Sequence, residues 1–208
     1  MKYPLKIKCL HCSLDQVIFL DLDEMKFTAT CQCGYDLSAV LADFPIGEKL
    51  LERSRYEYLN NSDYSLCIVF AAAAFECQLS RLFFRWGKID AIDPFKWLSD
   101  QELEESLRRF ANISLRIEET AKLIYPNGLN AFVSTQSDLI DMIKTGFTKL
   151  NLSDLATSFQ KVLFWPRNRI LHLGDTKFSP DEAKYCFNTA RLGLLILRKL
   201  DEFKLSAS

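Results

Sequence analysis

The spacing of apolar and polar positions divides the chain into a short alternating region and a long helical one. Near the start, Gln16-Val17-Ile18-Phe19-Leu20 and Lys26-Phe27-Thr28-Ala29-Thr30 are β-prone, with a turn at Asp21 to Glu24. Tyr35 to Gly47 is a connector, broken by Pro45 and Gly47. The pattern then turns helical from Glu48 to about Tyr58. Asn60-Asn61-Ser62-Asp63 marks a stop and a new start, with Ser62 or Asp63 as N-cap. Tyr64 to about Trp86 is the strongest helix, with Leu66, Phe70, Ala73, Cys77 and Phe84 on one apolar stripe. Ala71 to Ala74 allow a neighbouring helix to approach closely.

Gly87 to Asp100 reads as a loop. Ser99 and Glu102 then form a capping box for a charged helix from Gln101 to about Ile124. Tyr125-Pro126-Asn127-Gly128 is a turn. One further helix is expected from Leu129 to Leu150, with Ile140, Ile143 and Phe147 on one side. Leu155 to about Phe164 is helical, and Pro166 predicts a kink soon after it. Ser179-Pro180-Asp181-Glu182 is a second capping box. It opens a last helix that buries Phe187, Ala190, Leu194 and Leu197.

These elements predict a mainly α protein with a small β-rich module in front, divided as residues 1–40 and 41–208. A chain of 208 residues that is 49% apolar can bury a real core. Its net charge of −1 excludes a generally basic nucleic-acid coat. The charge is uneven: residues 161–208 hold nine Lys/Arg against five Asp/Glu, and residues 41–160 hold thirteen against seventeen. No apolar run is expected to span a membrane, and the first residues lack the apolar core of a signal peptide. A cytoplasmic protein without a membrane partner is expected.

The seven cysteines fall into two groups. Cys67, Cys77 and Cys186 lie on apolar helical faces and read as buried thiols. Cys9, Cys12, Cys31 and Cys33 form Cys-x2-Cys, eighteen residues, then Cys-x-Cys. Four thiolates from two knuckles suit a tetrahedral, structural Zn2+ with no open position for catalysis. Gly34 permits the tight backbone of the second knuckle. The pattern is that of a zinc ribbon, and a module of this size needs the metal to fold. His11 lies within the first knuckle but is not needed as a ligand. The module is expected to cap the helical domain, or else to act as a docking or nucleic-acid module.

Only one other histidine exists, His172. It ends the stretch Phe164-Trp165-Pro166-Arg167-Asn168-Arg169-Ile170-Leu171-His172, which precedes Gly174 and Asp175. Pro166 suits the first turn of a helix. Asn168 and His172 then sit at i and i+4 on one face. Imidazole is the side chain best fitted to proton transfer near neutral pH, and guanidinium grips phosphate bidentately. Arg167, Asn168 and His172 are thus sufficient parts for metal-free cleavage of a phosphodiester, with His172 as general acid or base. The plainer alternative is that Arg167 caps a carboxylate and His172 is an interhelix residue. Glu76, amid Phe75, Cys77 and Leu79, is a costly acid to bury unless paired. It is expected to pair with Arg167 or orient His172, or else to make an ordinary salt bridge. Ser80, Arg81, Arg85 and Lys88 extend a basic groove or form a solvated face. There is no Gly-rich phosphate loop and no carboxylate–histidine metal cluster.

The pattern Arg-Asn-x-x-x-His ahead of a Gly and a final amphipathic helix resembles the signature of HEPN domains (higher eukaryotes and prokaryotes nucleotide-binding). Arg167 and His172 match it with four intervening residues, Asn168 stands at the polar position after the Arg, and residues 45 to 205 are covered. Ala-Phe-Glu-Cys-Gln-Leu around Glu76 looks like the second helix of such domains, where an acid can face the motif. The resemblance implies an antiparallel helical bundle, a homodimer whose two motifs meet, and an RNA substrate. It further implies a metal-independent ribonuclease of toxin or phage-defence type, with an antitoxin or defence-system partner. Members that bind nucleotides or proteins without cutting RNA make an adaptor or regulator the alternative.

Overall fold

The computed structural model describes residues 2–9, 11–21, 26–27, 29–35, 39–40, 46–89 and 112–207. It divides into two compact units, Met1–Pro45 and Ile46–Ser208. The protein is mainly α-helical.

In the first unit, β1 (Lys2–Lys8) pairs antiparallel with β2 (Asp15–Asp21), in register from Lys2 opposite Asp21 to Lys8 opposite Asp15. The two-residue strands β3 (Lys26–Phe27) and β4 (Ala39–Val40) extend the sheet in the order β1-β2-β3-β4. β1 does not appear among the elements expected from the sequence, although Tyr3, Leu5 and Ile7 alternate with other residues. Pro4 obscures it, since proline cannot donate to a sheet. The structure tolerates Pro4 because β1 is the edge strand. β4 lies inside the segment that reads as a connector.

In the second unit, α1 (Ile46–Tyr56) runs on into a π turn, Glu57–Asn61. Ser62 stops it in the left-handed region at φ 51°. Asp63 is the N-cap of α2 (Tyr64–Ile89): its Oδ1 accepts from the Leu66 N–H at 2.9 Å. α2 thus continues past the expected loop start at Gly87. Glu57 is buried beneath the π turn, where Arg53 at 2.7 Å and the Asn61 amide at 2.6 Å hold its carboxylate.

α2 is the centre of the core, and its buried stripe differs from the expected one. Cys67, Ile68, Ala71, Ala74, Phe75, Leu79, Leu82 and Trp86 are buried. Leu66 is exposed, and Phe70, Ala73 and Cys77 are only half-buried, so Cys77 is not the fully buried thiol expected. The side chain of Phe84 lies outside the description. The helix is apolar on so many faces that several 3.6-residue stripes fit it, and packing against two neighbours selects among them. The segment Tyr64–Gly87 is in fact long and apolar enough to cross a membrane, with a mean hydropathy of 1.6 over an eighteen-residue stretch of it. That overturns the expectation that no apolar run reaches this length, although half of that stretch is buried within the protein.

The expected helix start at Gln101 and its capping box lie outside the described residues. α3 (Ile113–Ile124) begins afresh at Asn112, whose side chain accepts from the Ser114 N–H at 3.0 Å. Asn112 is extended, at φ −78° and ψ 117°, so one continuous helix through to Ile124 is excluded. The helix expected from Leu129 to Leu150 is two: α4 (Gly128–Ser134) and α5 (Ser137–Gly146). Gln136 is extended between them, and the Thr135 hydroxyl donates back to the Phe132 carbonyl at 2.7 Å, a local bond that competes with the helix.

α6 (Leu155–Phe159) passes through a second π turn, Gln160–Phe164, into α7 (Trp165–Leu173). The last helix is α8 (Pro180–Ala207). Its start is the reciprocal capping box expected: the Ser179 N–H donates to Glu182 at 2.9 Å, and the Glu182 N–H to the Ser179 hydroxyl at 3.2 Å. Ala190, Leu194 and Leu197 of α8 are buried, and Phe187 is half-buried. Gly193 lets α2 and α8 close up. A Cβ there would lie 2.5 Å from the Phe75 ring, so only glycine fits. Phe75 also stacks on Phe159 at 5.1 Å and meets Phe164 edge-on at 6.2 Å. This aromatic cluster clamps α2 to the π turn that leads into α7.

Candidate functional site

The Arg167–His172 stretch owes its position to the turn before it. Pro166 has no N–H, so within a continuous helix the Val162 carbonyl four residues back loses its partner. The chain winds one residue too many over Gln160–Phe164, and the Trp165 N–H reaches the Gln160 carbonyl. The Cys186 thiol of α8 donates to the stranded Val162 carbonyl at 3.1 Å. Burial pushes that thiol up to about 12, so it stays protonated and able to donate. The kink expected at Pro166 is therefore a π turn with a built-in replacement donor. Such turns are often found at functional sites.

Beyond the turn, α7 has no buried residue. Arg167 is about a third exposed, and Asn168 and His172 are exposed. The Arg167 guanidinium donates to Asn168 Oδ1 at 3.0 Å, and its other terminal nitrogen lies 3.8 Å from Glu76 Oε2. Phe75 fixes α2 in the aromatic cluster, which brings the next residue, Glu76, beside α7. The expected pairing of Glu76 with Arg167 is what the geometry contains. Glu76 also has a nearer cation, Arg116 of α3, whose Nη1 donates to its Oε1 at 3.2 Å. Arg116 is largely buried, at 15% side-chain exposure. Sequence reasoning missed it, because forty residues separate it from Glu76 and no local spacing links the two.

His172 has no hydrogen-bond or ion-pair partner among the described residues. Glu76 is thus placed to set the charge around Arg167, not to orient this imidazole. Arg169 pairs with Asp175 and lies over the Phe178 ring at 5.6 Å, which removes it from the site. The Lys177 N–H and the Arg169 guanidinium hold the Asp175 carboxyl below the ordinary carboxylate range, against some loss of water. Arg85 is also committed elsewhere: it meets Asp201 at 2.7 Å and covers the Trp86 ring at 5.1 Å. Arg81 is exposed and Ser80 half-buried, while the Lys88 side chain lies outside the description. A basic groove along α2 is therefore not what Arg85 forms.

The second set of chemistry-bearing residues lies in the first unit. The Sγ atoms of Cys9, Cys12, Cys31 and Cys33 all lie within 4.8 Å of one another. Cys9 and Cys33 are 3.8 Å apart and Cys12 and Cys31 3.5 Å, far too long for disulfides. Four sulfurs bonded at about 2.3 Å to one tetrahedral ion stand roughly 3.8 Å apart, so the spacing fits such an ion. The backbone shapes both knuckles. In the first, the Ser13 N–H donates to the Cys9 carbonyl and the Cys9 N–H to Leu14, both at 2.9 Å. In the second, the Gly34 N–H donates to Cys31 and the Cys31 N–H to Tyr35, both at 2.8 Å. Gly34 sits at φ +84°, in the left-handed region that favours glycine, within the tight second knuckle.

The thiols pull one another apart in acidity. The Cys12 N–H holds the Cys9 thiol down to about 6. The Cys33 N–H favours the Cys31 thiolate, but removal from water and the three neighbouring sulfurs push that group up to about 12. The Leu14 N–H likewise favours the Cys12 thiolate, yet loss of water and the Cys33 and Cys9 sulfurs raise it. Four sulfurs in this space cannot all ionise unless a cation joins them. His11 stands aside from the cluster, its ring parallel to Tyr35 at 5.8 Å. Among the described residues this is the only group of three or more His, Cys, Asp or Glu side chains with metal-ligating geometry.

No family model matches the chain, and no match is found among curated proteins or solved structures.

Proposed function

We propose that the chain is a metal-independent endoribonuclease of toxin or phage-defence type, built as a HEPN-like antiparallel helical bundle with an N-terminal zinc ribbon. The observation that carries this is the placement of Arg167 and Asn168 on α7, a solvent-facing helix that also presents His172, with Glu76 of α2 beside Arg167. Arg167 would take one phosphate of a bound RNA strand, exchanging its 3.8 Å contact with Glu76 for a charge-assisted bidentate one. The ribose 2′ oxygen attacks the adjacent phosphorus as its hydroxyl proton passes to a base. The bond from phosphorus to the 5′ oxygen breaks, and that oxygen takes a proton from an acid. The products are a 2′,3′-cyclic phosphate and a 5′ hydroxyl. His172 serves as base or acid, Asn168 positions, and Glu76 supports Arg167.

One imidazole cannot be base and acid at the same instant, so a homodimer that brings in a second His172 completes the site. Leu171 and Leu173, both strongly exposed on α7, offer apolar surface for that contact. Cys9, Cys12, Cys31 and Cys33 would hold a structural Zn2+, which cross-links the two knuckles and takes no part in the cleavage. An antitoxin or other defence-system protein covering α7 would restrain the enzyme in the cytoplasm.

The test is digestion of single-stranded RNA by the purified protein in EDTA. His172→Ala should lower the rate by about 10²- to 10⁴-fold, the usual contribution of a general acid or base. Intact RNA with the wild-type chain across several substrates would refute the proposal. One observation favours the alternative, a non-catalytic adaptor or regulator of the same fold: His172 lacks an orienting partner among the described residues.

A further inference from the structure

We propose that Trp165 is the stacking platform for an unpaired nucleobase of the RNA, so that the strand must be single beside the bond that is cut. The proposal rests on the nuclease reading above and names its substrate class. Trp165 is 55% exposed, although tryptophan is the side chain with most apolar surface to lose from water. The preceding Phe164 is buried in the aromatic cluster, while Trp165, the first residue after the π turn, is left more than half exposed.

The helix decides what Trp165 neighbours. Trp165, Asn168 and His172 stand at i, i+3 and i+7, which puts all three on one side of α7. At about 1.5 Å of rise per residue, Asn168 lies about 4.5 Å along the axis from Trp165, and His172 about 10 Å. Leu171 and Leu173 fall to either side of this row, about 120° and about 80° around the helix from Trp165. An apolar seam for another protein would place a leucine next to the indole. The indole is instead followed by an amide, which reads base or phosphate oxygens, and then by an imidazole. A base stacked on Trp165 would send its sugar and phosphate along α7 towards Asn168 and His172. Stacking of this kind accepts any base, because each has a π face, and it excludes duplex, whose bases already stack.

Indole fluorescence of the full-length chain provides a readout other than cleavage. Of three tryptophans, Trp86 is buried with its N–H bonded to Asp201 at 2.7 Å, so an oligomer cannot stack on it. Oligodeoxyadenylate is the probe, since it lacks the 2′ hydroxyl and survives the titration. It should quench the wild-type signal, an abasic oligomer of equal charge should not, and Trp165→Phe should remove the response while retaining most of the affinity. Trp165→Ala should weaken oligodeoxyadenylate binding by about 5- to 150-fold. Equal quenching in Trp165→Phe, unchanged affinity in Trp165→Ala, or no response to any oligomer would overturn the platform. So would a blue shift that depends on protein concentration alone, which would show a second copy covering the indole. Stacking with no cleavage of RNA would leave the platform standing and remove the nuclease. Cleavage with an unchanged KM in Trp165→Ala would do the reverse.

Discussion

The cysteine cluster and the α7 motif are both built on tight backbone turns, yet they differ in completeness. In the cluster, four sulfurs from one chain converge, and each knuckle is closed by two backbone hydrogen bonds. Of the motif residues on α7, Arg167 is tied to Asn168 and Glu76, while His172 stands in solvent. The first arrangement supplies a whole donor set and leaves an ion no open position. The second supplies half of an acid–base pair and leaves room for a ligand. A closed donor set suits a fold-holding role, and an open, unfinished one suits work that begins when something else arrives.

That contrast breaks most readily at the cluster. Cys31→Ser removes one of the two buried sulfurs and should abolish stoichiometric zinc, measured by native mass spectrometry of the full chain. Amide protection across β1 and β2 should fall with it, while the thermal transition of the helical unit stays in place. Protection unchanged in the zinc-free protein would show that the knuckles hold themselves and that the ion is dispensable.

Within the helical unit, core and motif should separate by several kcal/mol. Phe75→Ala opens a cavity against Phe159, Phe164 and Gly193, and should cost about 3–5 kcal/mol in denaturant unfolding. Leu173→Ala, at 76% exposure, should change stability by no more than about 0.5 kcal/mol. A large loss for Leu173→Ala that grows with protein concentration would mean that α7 is an interface in the resting protein.

Arg116 gives a smaller effect and a sharper question. Its 3.2 Å bond draws Glu76 away from Arg167, which keeps only a 3.8 Å contact. Arg116→Gln should let Glu76 turn to Arg167 and compete with phosphate. KM for RNA should then rise by up to about fivefold with kcat little changed, in keeping with a partly exposed ion pair worth at most about 1 kcal/mol. A loss confined to kcat would place Arg116 in the chemistry instead.

Parts of this were legible because the signal is local. Cysteine spacing places four sulfurs together, Ser179 and Glu182 spell a capping box, and Asp63 announces α2. The remainder depends on distance or on degeneracy. Glu76 finds Arg116 only after α2 and α3 pack, and the stranded Val162 carbonyl finds Cys186 only after α8 returns. The buried stripe of α2 is not legible because alanines and aromatics line several of its faces, so burial there is chosen by its neighbours and not by its own period. The break at Thr135 and Gln136 carries no Gly or Pro, and a side-chain bond back to Phe132 does their work. Pro166 was visible, but its consequence depends on whether a replacement donor exists, which sequence cannot say.

Glu182 tests whether the capping box that anchors α8 is electrostatic. The Ser179 N–H and hydroxyl hold its carboxyl below the ordinary value of 4.5. A depressed carboxylate adds stability that is fully present above its unfolded value and drains away as pH falls through the folded one. Asp175 and Asp138 are lowered likewise from 3.8, by the Lys177 N–H and by Lys199. The melting temperature should therefore be insensitive to these groups above about pH 5 and decline as acid protonates them. Glu182→Gln keeps the side chain's shape and one acceptor oxygen but removes its titration. It should lower the melting temperature slightly at neutral pH, and its curve should converge with that of the wild type in acid. Parallel curves at every pH would show that the box works through its shape alone, and that the negative charge at the start of α8 adds nothing.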